Sequence, residues 1–586
     1  MIQEVENIPQ MPDYLKQYIT QQDYSMYTAI DHACWRHIMR LNSYFFKDHA
    51  HSKYLEGLHE FGISIERVPK ISEMDEKLKK YGWRAVGITG FIPAPEFLEM
   101  LAQSILPIAC DMRKIEHIDY TPSPDIVHEA AGHAPIVADP GYANLLHKIG
   151  KVARYAIYAK EDNMVYEAVL KLSETKEDPH STEKDIQEAQ EGLNTALKSV
   201  KYVSEAQKLT RFGWWSTEYG LFVDKNGKTL IYGAGLLSSV GESYFCLNPE
   251  VKKVQMTIDC MNQDFDITKP QPQLFYTDDF SKLDAIVDEF SKTMAYKIGG
   301  VAALNKALEA RTVTTTQLDS GLQISGTLVD YKTNSQGEII FLKYTGSCQL
   351  SKEELQYVGH GANYHKEGYS TPLGVIKSVN KTSSQLTNED LKNLGFVEGK
   401  KSKLEFYSGI VVTGVLSSVL LHQGKLHVIT FKDCEVKWNE QVLFAPEWGD
   451  FDMACGSEVV SVFGGAADRD AFVKETIGMC SKARVQKCNL IDENKSLVTM
   501  YQQVRDLREQ NLWNKDVEHS IRQIATKLDQ QYPLDWLLRF EILEFLKLNN
   551  SKTDLVEKLI AQLNQLSKNA PNIKMLIDRG FKLLVS

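Results

Sequence analysis

Residues Tyr120–His133, reading YTPSPDIVHEAAGH, place two prolines, an aspartate and two imidazoles in one short stretch. Pro122 and Pro124 hold its start extended, because a residue before proline is pushed out of the helical region. Asp125 can then cap a helix whose first turn is Ile126, Val127 and His128. Ala130 and Ala131 favour helix, and Gly132 is a natural place for it to end or bend. His128 therefore falls in a first turn and His133 at the exit, with Glu129 beside one of them. Two imidazoles this close, with a carboxylate alongside, point to a metal ion.

The spacing separates this stretch from the zinc-protease pattern His-Glu-x-x-His, in which histidines four apart share one helix face. Here they are five apart, which on an ideal α-helix turns them away from each other by roughly 140°. They can meet at one ion only if the helix breaks near Gly132, and Glu129 is then displaced from a zinc protease's general-base position. The competing reading is two unrelated histidines near a helix end.

A third donor lies in Phe212-Gly-Trp-Trp-Ser-Thr-Glu218-Tyr-Gly-Leu221, where one carboxylate stands in an aromatic, apolar segment. Buried without a partner, Glu218 would cost on the order of several kcal/mol, so it should be paired or metal-bound. Two neutral imidazoles and one carboxylate make the facial triad of non-haem Fe(II) oxygenases, which leaves coordination positions open. Structural zinc would favour clustered cysteines and a closed fourth position.

Two further stretches belong with these, Val86-Gly-Ile-Thr-Gly-Phe-Ile-Pro-Ala-Pro-Glu-Phe97 and Tyr232-Gly-Ala-Gly-Leu-Leu-Ser-Ser-Val-Gly-Glu242. By wording, order and spacing, the four blocks resemble the pterin-dependent aromatic amino acid hydroxylases, most closely the bacterial phenylalanine 4-hydroxylases. The resemblance runs from about residue 27 to about residue 301. It implies Fe(II) held by His128, His133 and Glu218, which are also the catalytic residues. It also implies a tetrahydropterin (tetrahydrobiopterin or a related pterin) contacted by Gly90, Ile92, Ala94, Phe97 and Glu129. A flat bicyclic ring needs an aromatic face and a few fixed donors and acceptors, which such a loop can offer. Taken alone, the loop is a strand-to-helix turn with a core phenylalanine.

The same resemblance places Arg113, Tyr120, Thr121, Trp214 and Ser238 at the substrate, with Arg113 on its α-carboxylate. A planar guanidinium fork suits that role. Asp125 and Ser238 would support the ligand imidazoles from behind. Ser123, Ala130-Ala131 and Trp215-Ser-Thr217 depart from the commoner family residues, which leaves the choice among phenylalanine, tyrosine and tryptophan to pocket shape. The expected activity is an Fe(II)- and tetrahydropterin-dependent monooxygenase hydroxylating the ring of an aromatic amino acid, L-phenylalanine to L-tyrosine with O2, in phenylalanine catabolism. The alternatives are a tyrosine or tryptophan hydroxylase, a zinc hydrolase, and a non-catalytic amino acid or pterin sensor on the same fold.

Composition bounds the rest. A chain of 586 residues is too long for one ordinary core. With 43% hydrophobic and 24% charged residues it has the make-up of a globular protein. A net charge of −11 argues against nucleic acid or anionic membrane as the main partner. The N-terminus lacks the basic and apolar regions of a signal peptide, and no stretch approaches the ~20 apolar residues of a membrane span. Nine cysteines without a Cys-x-x-Cys pair read as reduced thiols of a cytoplasmic protein.

In chain order, residues 1–26 read as an irregular leader or short helix, and Tyr27–Gly62 as helical. His32, His37, His49, His51 and His59 have no third partner at ligand spacing and read as surface or packing residues. A helix over 70–81, a strand over 83–88 and a helix over 97–106 follow. Helices are expected over 143–160, 165–172, 182–210 and 280–310, with a strand and Gly-Ala-Gly turn in 230–239.

From Thr312 the pattern turns to alternation with frequent glycine. Ser320-Gly-Leu-Gln-Ile-Ser-Gly326 is echoed by Ser408-Gly-Ile-Val-Val-Thr-Gly414, and Cys348 by Cys434, at offsets of 88 and then 86 residues. Two divergent β-units in a small barrel or sandwich would explain this. Gly359-His-Gly-Ala-Asn-Tyr-His365 copies the five-residue histidine spacing, but a glycine-rich loop without helix signals argues against metal there. From about Asn494, Leu497, Met500, Tyr501, Val504 and Leu507 form one helical stripe, and Leu534, Leu537, Leu538, Ile542 and Phe545 a second. The expected fold class is multidomain: a mainly α catalytic domain with short strands over 1–311, a β-rich domain with a two-fold repeat over 312–490, and a helical segment over 491–586. Small-molecule partners are expected, together with self-association through the C-terminal region.

Overall fold

The computed structural model describes residues 11–119, 124–178, 180–267, 269–477, 495–510, 513–569 and 571–585. It is a mixed helix and sheet architecture. Its axis is the Ala29–His49 helix, opened by a capping box: the Thr28 hydroxyl accepts the Asp31 N–H, and the Asp31 carboxylate accepts the Thr28 N–H. Trp35, Ile38, Met39, Leu41 and Phe46 are all buried, and so are Arg36 and His37 between them. A helix buried around most of its circumference must be covered from more than one side.

One cover comes from the first part of the chain. Strand Arg84–Ile88 pairs in parallel with Ile105–Ala109 through the Ala94–Ala102 helix. The helix expected to reach Leu106 ends at Ala102 because Ser104 takes a left-handed φ of 56°. The run Ile-Leu-Pro-Ile-Ala109 that follows is a fully buried strand, which periodicity cannot tell from helix. A second small sheet has the order Thr229–Ile231, Leu221–Val223, Gln273–Thr277, Lys252–Gln255. The expected 182–210 helix divides into Glu183–Ser199 and Glu205–Gly213, where Ser204 caps the new start by accepting the Gln207 N–H. The 280–310 helix divides into Phe280–Ser291, Ala295–Ile298 and Gly300–Ala310, the last break falling at Gly299 and Gly300, both at positive φ.

The other cover is C-terminal. Helices Lys495–Glu509, Lys515–Gln531, Leu537–Leu548, Asp554–Asn569 and Pro571–Val585 enter the same apolar core as the Ala29–His49 helix. His37 meets Trp536 and Phe540 edge-on, at 5.1 and 4.9 Å between ring centroids. Arg36 pairs with Glu541, and Arg508 with Glu544 at 2.8 Å; Arg40 also reaches Glu544. Both C-terminal stripes therefore pack within this chain. Leu534 is the exception, 78% exposed ahead of its helix.

Between these parts lie two bulged antiparallel sheets. One is built on the hairpin Leu322–Thr333 with Ile339–Lys352, the other on Ile410–His422 with Lys425–Trp438. The repeat reaches into the irregularities: register shifts follow Ser325, Leu328 and Lys332 in one hairpin and Thr413, Leu416 and Leu420 in the other, each displaced by 88 residues. The strand order closes neither sheet on itself, so of the barrel or sandwich expected the barrel is not formed among the described residues. Arg469, just beyond the last strand, ties this region to the helices through Glu99 at 2.9 Å and the Arg154 carbonyl at 2.6 Å. No described helix is long and apolar enough to cross a membrane.

Candidate metal centre

His128 and His133 occupy one π-helical turn, Val127–His133. Its i→i+5 bonding, seen in the Ala134 N–H on the Glu129 carbonyl, sets residues five apart above one another. The break expected at Gly132 does not occur. Widening of the turn brings the two rings to 5.1 Å between centroids. Gly132 answers a different need, since a Cβ there would stand 2.7 Å from the Ala234 carbonyl oxygen. Glu218 ends a second π-helical turn, Trp214–Glu218, closed by the Tyr219 N–H on the Trp214 carbonyl at 2.9 Å.

The turns converge. Glu218 Oε2 lies 3.3 Å from His128 Nε2, and Oε1 lies 3.0 Å from His133 Nε2. Ser238 Oγ donates to the Ala234 carbonyl at 2.8 Å, so it must accept from His128 Nδ1 at 3.1 Å. That leaves His128 Nε2 unprotonated and aimed at the carboxylate. Tyr142 Oη lies 3.3 Å from His133 Nδ1 and holds that ring with its Nε2 toward Glu218. His133 Nε2 is buried and makes no well-aligned hydrogen bond. Imidazole lone pairs facing carboxylate oxygens at this range repel unless a cation lies between, so the donor set fits a divalent metal. Burial alone would raise the Glu218 carboxyl, and only positive charge at this spot, on the imidazoles or on a cation held between them, keeps it well below the usual carboxylate range.

The supporting residues are placed as follows. Asp125 meets His128 at its backbone N–H (3.1 Å) and not at its ring; its carboxylate is taken by Arg113 Nε and Nη2, both at 2.8 Å. Arg113 Nη1 donates to the Ser238 carbonyl at 3.2 Å. Trp214 is stacked between Tyr219 and Phe265, at 4.4 and 4.3 Å. Gly90 turns at φ +63° and donates its N–H to Asp111, Ile92 is buried, and Ala94 and Phe97 stand half-buried on the first turn of the Ala94–Ala102 helix. Glu129 is buried with Oε2 lacking a hydrogen-bond partner, and burial pushes its carboxyl up to about 8. Tyr120 and Thr121 lie outside the described residues. Sequence reasoning does not single out Tyr142, Tyr219 or Phe265; each reads there as one more apolar residue of a helix or loop.

Gly132→Ala tests the close approach. The new methyl must displace the Ala234–Leu237 helix, and with it Ser238. Metal affinity is expected to fall at least about 10-fold, the low end for a lost supporting partner, with circular dichroism unchanged. Anaerobic Fe(II) titration of the variant measures this.

A sequence model of the biopterin-dependent aromatic amino acid hydroxylase family matches residues 12–166 and 185–316. Phenylalanine-4-hydroxylase of Pseudomonas aeruginosa is 27% identical over 265 residues, 45% of this chain and 84% of that protein. That of Chromobacterium violaceum is 27% identical over 267 residues, 45% and 72% of the two chains. The crystal structure of the C. violaceum enzyme with iron(III) and oxidised 7,8-dihydrobiopterin matches 47% of this chain and 85% of its own at 26% identity, with a TM-score of 0.37. Its iron- and phenylalanine-bound structure matches at 26% identity over 47% and 88%, with a TM-score of 0.36. The N-terminal half of this chain belongs to the biopterin-dependent aromatic amino acid hydroxylase family.

Proposed function

We propose that the chain is a phenylalanine 4-monooxygenase, hydroxylating L-phenylalanine to L-tyrosine with O2. The observation that carries this reading is the meeting of His128, His133 and Glu218 on two π-helical turns inside the segment matched by the family. Iron(II) and a tetrahydropterin, when bound, supply the two-electron activation of oxygen. The three side chains would hold the iron on one face and leave its other positions open. Ser238 and Tyr142 keep the imidazoles turned Nε2-inward. Among the described residues Arg113 uses three of its five N–H donors, on Asp125 and Ser238, and the other two would serve a substrate carboxylate. Trp214, fixed by its stacking partners, offers a rigid apolar wall. Gly90, Ile92, Ala94 and Phe97, with the unpartnered Glu129 Oε2, would contact the pterin.

We assign 1–311 to the catalytic unit, 312–490 to a β-rich unit and 491–586 to a helical unit that completes the first. The described cysteines are buried and free, which supports placing the protein in the reducing cytoplasm. Anaerobic Fe(II) loading, followed by a tetrahydropterin- and O2-dependent assay against phenylalanine, tyrosine and tryptophan, tests the activity. Tyrosine should form from phenylalanine and fall at least about 100-fold in His128→Ala. Absence of turnover with all three amino acids, despite bound iron, would overturn the assignment.

A further inference from the structure

A second group of candidate metal donors lies in the β-rich region, outside the family-matched segment. His360, His365 and Asp452 each offer a ligand atom, all within 4.8 Å of one another. The sequence around His360 and His365 supplies only two donors and no helix. The third comes from strand Phe451–Ala454, which pairs with Lys425–Trp438 in the other sheet. The five-residue spacing works here by another route. A single turn, with the Tyr364 and His365 N–H groups both on the Gly361 carbonyl at 3.1 Å, folds the loop back so that His360 Nδ1 comes 3.2 Å from His365 Nε2.

Tetrahedral zinc–nitrogen bonds of about 2.0–2.1 Å put two ligand nitrogens about 3.3 Å apart, close to this separation. A hydrogen bond between neutral imidazoles would explain that distance alone. It would not explain Asp452, which is 4% exposed and, when ionised, only accepts hydrogen bonds. Thr430 Oγ1 donates to its Oδ1 at 2.7 Å, but no lysine or arginine pairs with it among the described residues. The Tyr364 hydroxyl reaches Asp452 as well, and burial pushes the Asp452 carboxyl up. The geometry of one carboxyl against two imidazole nitrogens within 4.8 Å is that of a ligand set, and a bound cation would offset the cost of ionising it there.

We propose that His360, His365 and Asp452 bind a divalent transition-metal ion of the class that takes imidazole and carboxylate ligands. The ion sits on the seam between the two repeats. His360 and His365 belong to the loop leaving the first hairpin, and Asp452 to the sheet of the second. The seam is already marked by Tyr369 Oη on the Asp452 carbonyl at 2.6 Å and Thr371 Oγ1 on the Ala454 carbonyl at 3.2 Å. The ion thus fastens the loop of one repeat to the sheet of the other, independently of hydroxylation.

The test is a metal count on the full-length chain, stripped with chelator, equilibrated with Zn(II) and analysed by mass spectrometry of the metal. The wild type should hold two equivalents, His128→Ala one, His360→Ala one, and the double variant none. His360 is only half-buried, so its replacement spares the core, and Asp452→Asn, which preserves shape, should also hold one. Iron-loaded His360→Ala should keep its hydroxylation rate. Zn(II) should raise the melting temperature of His128→Ala and leave the double variant unmoved. Equal zinc content in wild type and His360→Ala, or a His128→Ala chain that binds none, would overturn the proposal.

Discussion

A chain ending at residue 494 should neither remain soluble nor hydroxylate. The helices it would lose are the second wall of the core around Ala29–His49. Leu497, Met500, Tyr501, Val504, Leu537, Leu538 and Phe540 would leave with them, exposing apolar surface next to Trp35 and His37. Each large side chain lost from such a core costs roughly 1.5–3 kcal/mol in burial, against a total stability of about 5–15 kcal/mol. The point variant Glu541→Ala isolates one part of this effect. It strands Arg36, whose side chain is 5% exposed, without its partner. Breaking a buried pair costs about 3–5 kcal/mol, so melting should drop by on the order of 10 °C. Size-exclusion chromatography of 1–494 and thermal melts of Glu541→Ala measure both effects. A soluble, fully active 1–494 chain would show that the shared core is dispensable.

Glu218→Ala should abolish activity without unfolding the protein. The carboxylate is the only anionic donor of the triad and faces both Nε2 atoms. Its backbone is fixed independently: a Cβ on Gly233 would lie 2.4 Å from the Glu218 carbonyl oxygen, so the turn is seated against that glycine whatever the side chain. Iron affinity and turnover should fall by more than about 100-fold. Ser238→Ala, which removes only the partner of His128, should cost roughly 10–100-fold. The order of the two variants is the check. Equal losses would mean that Ser238 does more than orient one ring.

The three candidate metal donors are legible because their chemistry demands unusual neighbours: a carboxylate among tryptophans, and two histidines beside a glycine. How they meet is not. The sequence offers α-helix or break for a five-residue spacing, whereas the π-turn depends on Gly132 lying against Ala234, a contact no local pattern reveals. Asp452 is not legible as a neighbour of His365 for the same reason, since the two belong to different sheets that meet only at the seam marked by Tyr369 and Thr371. The repeat was legible down to Cys348 and Cys434 because both hairpins carry the same bulges. The C-terminal stripes are legible as amphipathic helices, but nothing in Trp536 or Phe540 says that the surface they cover is on residue 37 of the same chain.

The Arg36–Glu541 pair spans 505 residues of sequence, and this has a bearing on how the protein is made. Its Ala29–His49 helix leaves the ribosome about 500 residues before the residues that cover one side of it. At about 5–20 residues per second that helix waits on the order of a minute with an apolar flank uncovered. Contacts of such separation also make for slow folding in the test tube. Refolding should therefore be slow and lose yield with concentration, and synthesis should depend on whatever shields Trp35 and its neighbours until the Leu537–Leu548 helix arrives.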